Sequence, residues 1–377
     1  YNGSDVSCNG ASDGRITVTA SGGTGTLSYV LDQDPSNVTG SITGIFTGLP
    51  AGTYTITVRD KNSCDEVTAP VTINDPTLIN VNAFVSSNYN GSDVTCYGVP
   101  DGEITATATG GTGTLNYSIV QMPGNMTGSS SGIFTGIPAG TYNVRVTDIN
   151  GCNVVSPDIV IQNPDPVTAS GTVSSDYHGS QVSCFGSADG EITVTASGGT
   201  GTLTYVLDQD PGNMTGETTG IFADLVAGTY TVTVSDENGC SVTTPAITIV
   251  NPAQITANAI ISSNYNGSPI SCNGMADGEI TVTASGGTGT LTYLLVEMAG
   301  NTSGAASGVF TGVPAGTYTV TVSDENGCSE TTAPLTLTDP TVITASAAVT
   351  SDYNGSDVSC NGASDGRITV TASGGTG

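Results

Sequence analysis

Along the chain, apolar residues alternate with Thr and Ser at a period of two. From Ile192 to Ser197, Ile192, Val194 and Ala196 fall on one face, and Thr193, Thr195 and Ser197 on the other. From Tyr230 to Ser235, Tyr230, Val232 and Val234 oppose Thr231, Thr233 and Ser235. Side chains leave a strand alternately to its two faces, so this pattern predicts half-buried β-strands. Turn residues bound each run: SADG from Ser187, SGGTG from Ser197, DPGN from Asp210 and DENG from Asp236. Gly supplies the positive φ that such turns need at no steric cost. No window carries an apolar stripe at helical spacing, so the expected class is all-β.

The pattern repeats. Nine cysteines (Cys8, Cys64, Cys96, Cys152, Cys184, Cys240, Cys272, Cys328 and Cys360) are separated alternately by 56 and 32 residues, a period of 88. Four periods and 25 residues account for the 377. Other landmarks keep step: GTY begins at Gly52, Gly140, Gly228 and Gly316. Residues 1–25 recur unchanged at 353–377, while the copies starting at Tyr89, Tyr177 and Tyr265 differ at 7, 6 and 5 positions. Either 352 residues is a true super-repeat or the sequence is an excerpt whose ends overlap; the expected reading is an excerpt, with Gly377 inside a motif. Neighbouring repeats also alternate, because Leu31 to Pro35 (LDQDP) returns at Leu207 to Pro211, whereas the repeats between read VQMPGN at Val120 and VEMAGN at Val296.

Seven or so short strands in a repeat of this size, without parallel crossovers, predict an antiparallel two-sheet sandwich of immunoglobulin type. Asp75-Pro76, Asn163-Pro164, Asn251-Pro252 and Asp339-Pro340 mark the joints. The domains read as an incomplete first repeat at 1–77 that lacks its first strand, full repeats at 78–165, 166–253 and 254–341, and the start of another at 342–377. Proline restrains the residue before it to extended conformations, so the linkers are short and stiff. The expected architecture is tandem sandwiches in an elongated rod or filament, each about 40 Å long.

Small domains gain from cross-links, and regularly spaced cysteines point to a secreted setting. Two pairings compete. Cys184 with Cys240 closes a loop inside one repeat, worth roughly 4 kcal/mol by the chain-entropy model. In immunoglobulin topology, however, those two turns lie at opposite ends of the domain, and disulfide Cα atoms must approach within about 7 Å. The turn before the second strand of one repeat instead faces the turn after the sixth strand of the next. That arrangement would pair Cys8 with Cys152, Cys96 with Cys240, and Cys184 with Cys328. Both pairings stay open at this point, and the ninth cysteine reads as one whose partner has been cut away.

Charge narrows the function. The chain carries 33 Asp and Glu against 5 Lys and Arg, one histidine and no tryptophan, for a net charge of −28. Nucleic acid and anionic membranes need clustered Lys and Arg, so neither is an expected partner. His178 is the one side chain whose ordinary pKa lies near neutrality, and an enzyme is not expected. No leader or apolar span is visible, so direct membrane insertion is not expected either. Between Arg145 and Arg367 a trypsin-like protease has no site, which suits life outside a cell. Lys61 is the sole lysine, so covalent reinforcement falls to cysteine.

The ordered set SCNGxxDGxITVTASGGTGxLxY, then AGTYTVTVSDENGC, then a final strand ending in NP resembles the SprB repeat of the giant gliding-motility adhesins of Bacteroidota. It is carried by Cys184, Gly186, Asp189, Gly190, Gly198, Gly199, Gly228, Tyr230, Asp236, Gly239 and Cys240. The resemblance runs from end to end. It implies type IX export, attachment at the outer membrane, surface display as long filaments, adhesion and gliding motility. The residue after the first cysteine varies (Asn9, Tyr97, Phe185, Asn273), so it is not expected to be a uniform ligand contact.

Several candidates carry chemistry. Asp148, Asp236 and Asp324 in Asp-x-Asn-Gly turns, with Asp101, Asp189 and Asp277, are weak calcium candidates, because calcium needs six to eight oxygens and these are fragments of a binding loop. A hairpin turn explains them equally well. Calcium is the one candidate cofactor. Tyr54, Tyr142, Tyr230 and Tyr318 occupy the place of the tyrosine corner that locks a sandwich. Outward Thr rows could form an ice- or mineral-binding face, although outward Thr is ordinarily only a β-branched residue with a polar tip. Asn2, Asn37, Asn90, Asn125, Asn213, Asn266 and Asn301 head glycosylation sequons. His178 stands where sister repeats have Asn, and reads as a surface substitution.

Two functions remain open. One is a structural stalk or filament segment of a very large surface adhesin, whose partners are neighbouring repeats, laterally assembled copies and a substratum. The other is a repeated weak carbohydrate- or calcium-binding module of an extracellular matrix protein, whose partner is a surface polysaccharide.

Overall fold

The computed structural model describes residues 1–376. The chain divides into two compact units, one made of residues 1–168 with 196–203 and 235–242, the other of 169–195, 204–234 and 243 onward. Among the described residues there is no α-helix, and a single 3-10 turn spans Val296–Met298. The class is all-β, built of tandem immunoglobulin-like antiparallel sandwiches.

In the first unit, the repeat at 78–165 displays the plan. One sheet has Gly102–Thr109 at its centre, flanked antiparallel by Asn80–Val85 and Ile133–Ile137. The other has Val144–Thr147 at its centre, flanked by Asn116–Ile119 and Asn153–Val155. Gly140–Tyr142 and Ile159–Ile161 pair with each other and prolong the same final hairpin. Alternation decides which side chains face inward: Ile104, Phe134 and Ile137 from the first sheet meet Ile119, Val144 and Val146 from the second, all essentially inaccessible to water. Each such side chain contributes about 1.5–3 kcal/mol on burial.

Against the expected seven strands there are eight short segments, which amount to six strands of which the last two are each interrupted once. Pro157 has no N–H to donate, and the ladder breaks beside it. Side chains fill the gap: the Val144 amide donates to Ser156 Oγ at 2.9 Å, and the Asn143 amide donates to Gln121 Oε1 at 2.9 Å. The first repeat, which has no first strand, keeps a two-stranded sheet of Gly14–Thr17 and Ile45–Leu49.

In the second unit, the repeat at 254–341 has the same plan. Ala276–Ser285 lies between Thr256–Ile261 and Val309–Pro314, and Val320–Ser323 lies between Thr292–Leu295 and Ser329–Thr331. The repeat at 166–253 has strands at the same offsets, while its turns at 196–203 and 235–242 belong to the first unit. Thr341–Val349 and Ile368–Gly375 form a final hairpin whose side chains are almost all exposed.

One phenylalanine centres each sandwich: Phe46, Phe134, Phe222 and Phe310 are fully buried. A glycine lies against each ring. A Cβ on Gly128 would stand 2.6 Å from Phe134, and one on Gly40, Gly216 or Gly304 would stand 2.7 Å from its own phenylalanine. The connection between the first two strands is packed, too. Val6, Val94, Val182 and Ile270 are fully buried there, which holds the cysteine two residues later in a fixed place.

Candidate functional site

The place where chemistry concentrates is the joint between consecutive repeats. It is built from two turns. The first lies between strands one and two, where the Tyr89 and Ser92 main chains exchange hydrogen bonds of 2.8 and 3.0 Å. Tyr89 donates its hydroxyl to the Asp101 carbonyl at 3.0 Å, and Asp101 Oδ1 accepts the Thr95 amide at 3.0 Å. This braced turn presents Cys96. The second turn is Asp236 to Cys240 of the following repeat. Asp236 Oδ1 accepts the amides of Asn238 and Cys240 at 2.9 and 2.8 Å, and Oδ2 accepts the Thr200 amide at 2.8 Å. Gly239 takes φ of 84° to close it.

The two turns meet on Asn238. Its Nδ2 donates to the carbonyls of Tyr89 and Thr95 at 3.1 and 3.2 Å, and its Oδ1 accepts from Asn90 Nδ2 at 2.7 Å. The Cys96–Cys240 disulfide lies beside this hub, with Cα atoms 5.6 Å apart. Within the same unit, Cys8–Cys152 repeats the arrangement with Asn150 as hub, and in the second unit Cys184–Cys328 does so with Asn326, again at Cα separations of 5.6 Å. Of the two competing pairings, the structure therefore forms the one across the joint. Cys64, Cys272 and Cys360, expected among the bridged cysteines, are free and exposed. The physical reason is distance along the chain: every bridge spans 144 residues, and no cysteine of the sequence stands at that separation from any of the three.

The linker is tied into the same structure. Gly98 donates its amide to Asn163 Oδ1 at 2.9 Å, and Gly10, Gly186 and Gly274 do likewise to Asp75, Asn251 and Asp339. The variable residue after the cysteine now has a meaning. Asn9 and Asn273 donate Nδ2 to the carbonyls of Pro76 and Pro340 at 2.9 and 3.1 Å. Tyr97 and Phe185 have no such amide and stand 61% and 56% exposed.

His178 is an exposed substitution that keeps the contact of the joint. Its Nδ1 lies 2.6 Å from Asn326 Oδ1, in the place that the Asn2 and Asn90 amides hold at the other joints. Asn326 must point Nδ2 at the carbonyls of Tyr177 and Ser183, 3.2 and 3.0 Å away, so its Oδ1 faces the imidazole and requires an N–H there.

The carboxylates proposed for calcium are engaged in turns. Asp148 and Asp324 repeat the three amide contacts of Asp236 and are buried. Asp189 and Asp277 accept the amides of Ser183 and Ser271 at 3.0 and 3.1 Å, as Asp101 accepts that of Thr95. Hydrogen bonds from the Cys64 and Thr24 amides hold the equivalent Asp60 carboxyl below its ordinary pKa, and those from Ser7 do the same for Asp13. Among the described residues no group of three or more His, Cys, Asp or Glu side chains could hold a metal ion.

The remaining candidates are also placed. Tyr54, Tyr142, Tyr230 and Tyr318 donate their hydroxyls to the carbonyls of Pro50, Pro138, Val226 and Pro314, at 2.7 to 3.0 Å, and burial pushes each phenol above its ordinary pKa. Asn37, Asn125, Asn213 and Asn301 donate Nδ2 to the carbonyls of Thr47, Thr135, Ala223 and Thr311, at 2.8 to 3.0 Å, while Oδ1 receives the hydroxyl of the sequon's own Thr or Ser. Outward threonines pair with one another, as Thr53 with Thr72 and Thr317 with Thr336. Two features escape a sequence reading: the hub asparagine, hidden inside an ordinary-looking Asn-Gly turn, and the Gln33, Gln121, Gln209 and Glu297 side chains that cap the break in the penultimate strand.

The fold and its bridges define a class, an extracellular repeat protein of adhesin-like type, made of immunoglobulin-like sandwiches stapled in tandem. The SprB repeat family matches residues 1–35, 88–122, 180–212, 264–297 and 353–377. SprB repeat matches thus recur in five regions along the chain. No curated protein matches it. Similar solved structures include the eight N-terminal Ig domains of Down syndrome cell adhesion molecule, at 10% identity and a TM-score of 0.22, covering 91% of this chain and 59% of that one. Others are extracellular domains 3–5 of Drosophila OTK (12%, TM-score 0.20, 64% and 93%) and the fibronectin(III)-like modules of Clostridium thermocellum CbhA (18%, TM-score 0.20, 45% and 95%). The chain thus spans 59% of the adhesion-molecule fragment, and the fold class rests on the strand pairing described above.

Proposed function

We propose that this chain is a stalk segment of a very large bacterial surface adhesin, in which stiffened repeats hold a distal part away from the cell. The observation that carries the reading is the joint: a disulfide, a three-bond asparagine hub and a linker tie recur at every complete junction. A flexible tether needs none of these. Outer-membrane attachment, type IX export, adhesion and gliding motility come to the reading from the SprB-repeat resemblance, and lateral assembly from the two-repeat alternation. The reading assigns the chain no catalysis, nucleic-acid binding or membrane insertion. Small-angle scattering of oxidised and reduced protein tests it. A stiff particle that loosens on reduction is expected; loosely tethered beads in the oxidised state would overturn it.

A second reading, a repeated weak saccharide site, is favoured by one observation, the exposed aromatic rings of Tyr97 and Phe185. A glycan array probed with the intact protein and with its Tyr97→Asn, Phe185→Asn variant tests that reading. Binding better than millimolar that the double substitution abolishes would replace the stalk with it.

A further inference from the structure

Each hub asparagine is followed by glycine: Asn150-Gly151, Asn238-Gly239 and Asn326-Gly327. Without a Cβ, glycine leaves its backbone nitrogen free to reach the preceding side-chain amide, so Asn-Gly is a pair prone to spontaneous deamidation. We propose that the three hubs are deamidation sites kept unreactive by the docked joint, and that the cross-joint disulfide controls whether they react.

The step at Asn238 balances with water as the only co-reactant. The Gly239 nitrogen gives up its proton and bonds to Asn238 Cγ. The Cγ–Nδ2 bond breaks, and the amide nitrogen leaves as ammonia with the proton. Water then opens the five-membered imide at either carbonyl, leaving aspartate or isoaspartate.

In the joint, both ends of this reaction are held. The Gly239 N–H donates to the Asp236 carbonyl at 3.1 Å, as Gly151 does to Asp148 and Gly327 to Asp324 at 3.1 and 3.2 Å. The amide that must leave donates to Tyr89 and Thr95, and its oxygen is fixed by Asn90. The amide plane therefore cannot turn toward the glycine nitrogen while the neighbouring repeat is docked. Asn361-Gly362 is the contrast: it is the same dipeptide, exposed, and neither residue makes a hydrogen bond among the described residues.

The product has consequences for the joint. A carboxylate at position 238 would place oxygen where Nδ2 now donates to two carbonyl oxygens, at 3.1 and 3.2 Å. Two hydrogen bonds would become lone-pair repulsions. A reversible reduction of Cys96–Cys240 would thus be converted into a joint that cannot close again.

The test incubates the protein at alkaline pH, oxidised or reduced with a phosphine, and maps chymotryptic peptides for the mass gain of amide-to-carboxyl exchange. Because three hydrogen bonds hold the amide, Asn361 should convert at least about tenfold faster than the three hubs in oxidised protein. Reduction should bring the hubs close to the Asn361 rate. The paired Cys96→Ser, Cys240→Ser variant should accelerate Asn238 alone, with Asn150 and Asn326 as internal references. Hubs that react as fast as Asn361 while oxidised, hubs that stay slow after reduction, or a double variant that accelerates all three hubs or none, would overturn the proposal.

Discussion

Removing one staple while leaving its hub intact tests how far a joint couples two repeats. The perturbation is Cys96→Ser with Cys240→Ser, which deletes a bridge spanning 144 residues. Treated as loop closure in the unfolded chain, a loop of that length gives an entropy of about 17 cal/mol/K, or about 5 kcal/mol at 25 °C. The loop runs through the folded bodies of two repeats, so the loss falls on the pair and not on one domain. For a cooperative block of this size, 1 kcal/mol moves the melting temperature by about 2–4 °C, which puts the expected fall at about 10–20 °C. The bridge should also set the cooperativity of melting. With the bridge, unfolding either repeat alone leaves its cysteine tethered to a folded neighbour, so the two should melt together; without it they should separate. Differential scanning calorimetry of oxidised wild type and of the double variant reads both quantities. A melting temperature lowered by less than about 2 °C, with the transition as sharp as before, would refute the reasoning, because it would mean that the hub and linker alone couple the repeats.

Other outcomes follow from single contacts. Asn238→Ala removes two donated bonds and one accepted bond, so opening of that joint should become easier by about 2–3 kcal/mol, read as faster amide exchange around Tyr89 to Cys96; unchanged exchange there would deny Asn238 its role. Tyr142→Phe removes the bond to the Pro138 carbonyl and should cost about 1 kcal/mol by denaturant melt, with no change in m-value. Gly128→Ala drives a methyl to 2.6 Å from the Phe134 ring, and overpacking of that kind should cost about 1–3 kcal/mol in the same melt. Burial pushes the Glu297 carboxyl up, but hydrogen bonds from the Thr319 amide and hydroxyl outweigh it and hold its pKa below the ordinary value of 4.5. Its contribution to the fourth repeat is therefore present above that value and is lost as pH falls through the lower folded pKa. Glu297→Gln, the residue in the sister repeats, should flatten that acid limb; an identical acid melt in both proteins would contradict the assignment.

The central strands, such as Gly102–Thr109 and Val144–Thr147, were legible because their residues alternate between buried and more accessible positions, and period two needs no tertiary information. The break in the penultimate strand was not legible. It depends on a glutamine about twenty residues upstream, Gln121 against Asn143, a contact made only once the second sheet is assembled. The calcium candidates were legible only as two alternatives, a cation loop or a hairpin turn. Asp148, Asp236 and Asp324 carry the composition of a cation loop, yet their oxygens are directed at amide groups by the tight turn each closes, which sequence spacing alone does not determine. The part His178 plays was hidden for a related reason: a residue that replaces Asn on an exposed turn reads as a surface substitution, and its contact with Asn326 is made only when the next repeat docks.

The alternation between repeats fits this view of where information resides. Asp32 accepts the hydroxyls of Thr55 and Thr57, and Asp208 those of Thr231 and Thr233, in the first and third repeats. The second and fourth repeats carry exposed Val120 and Val296 at that position instead, with Met122 and Met298 packed against their cores. None of these residues touches a staple. The joints repeat every 88 residues and the flanks every second repeat, so the two kinds of position answer to different constraints. The joint must match the next repeat in the same chain, and its disulfide and hub asparagine recur at each complete junction. A flank free of that requirement can vary from one repeat to the next without cost to the joint.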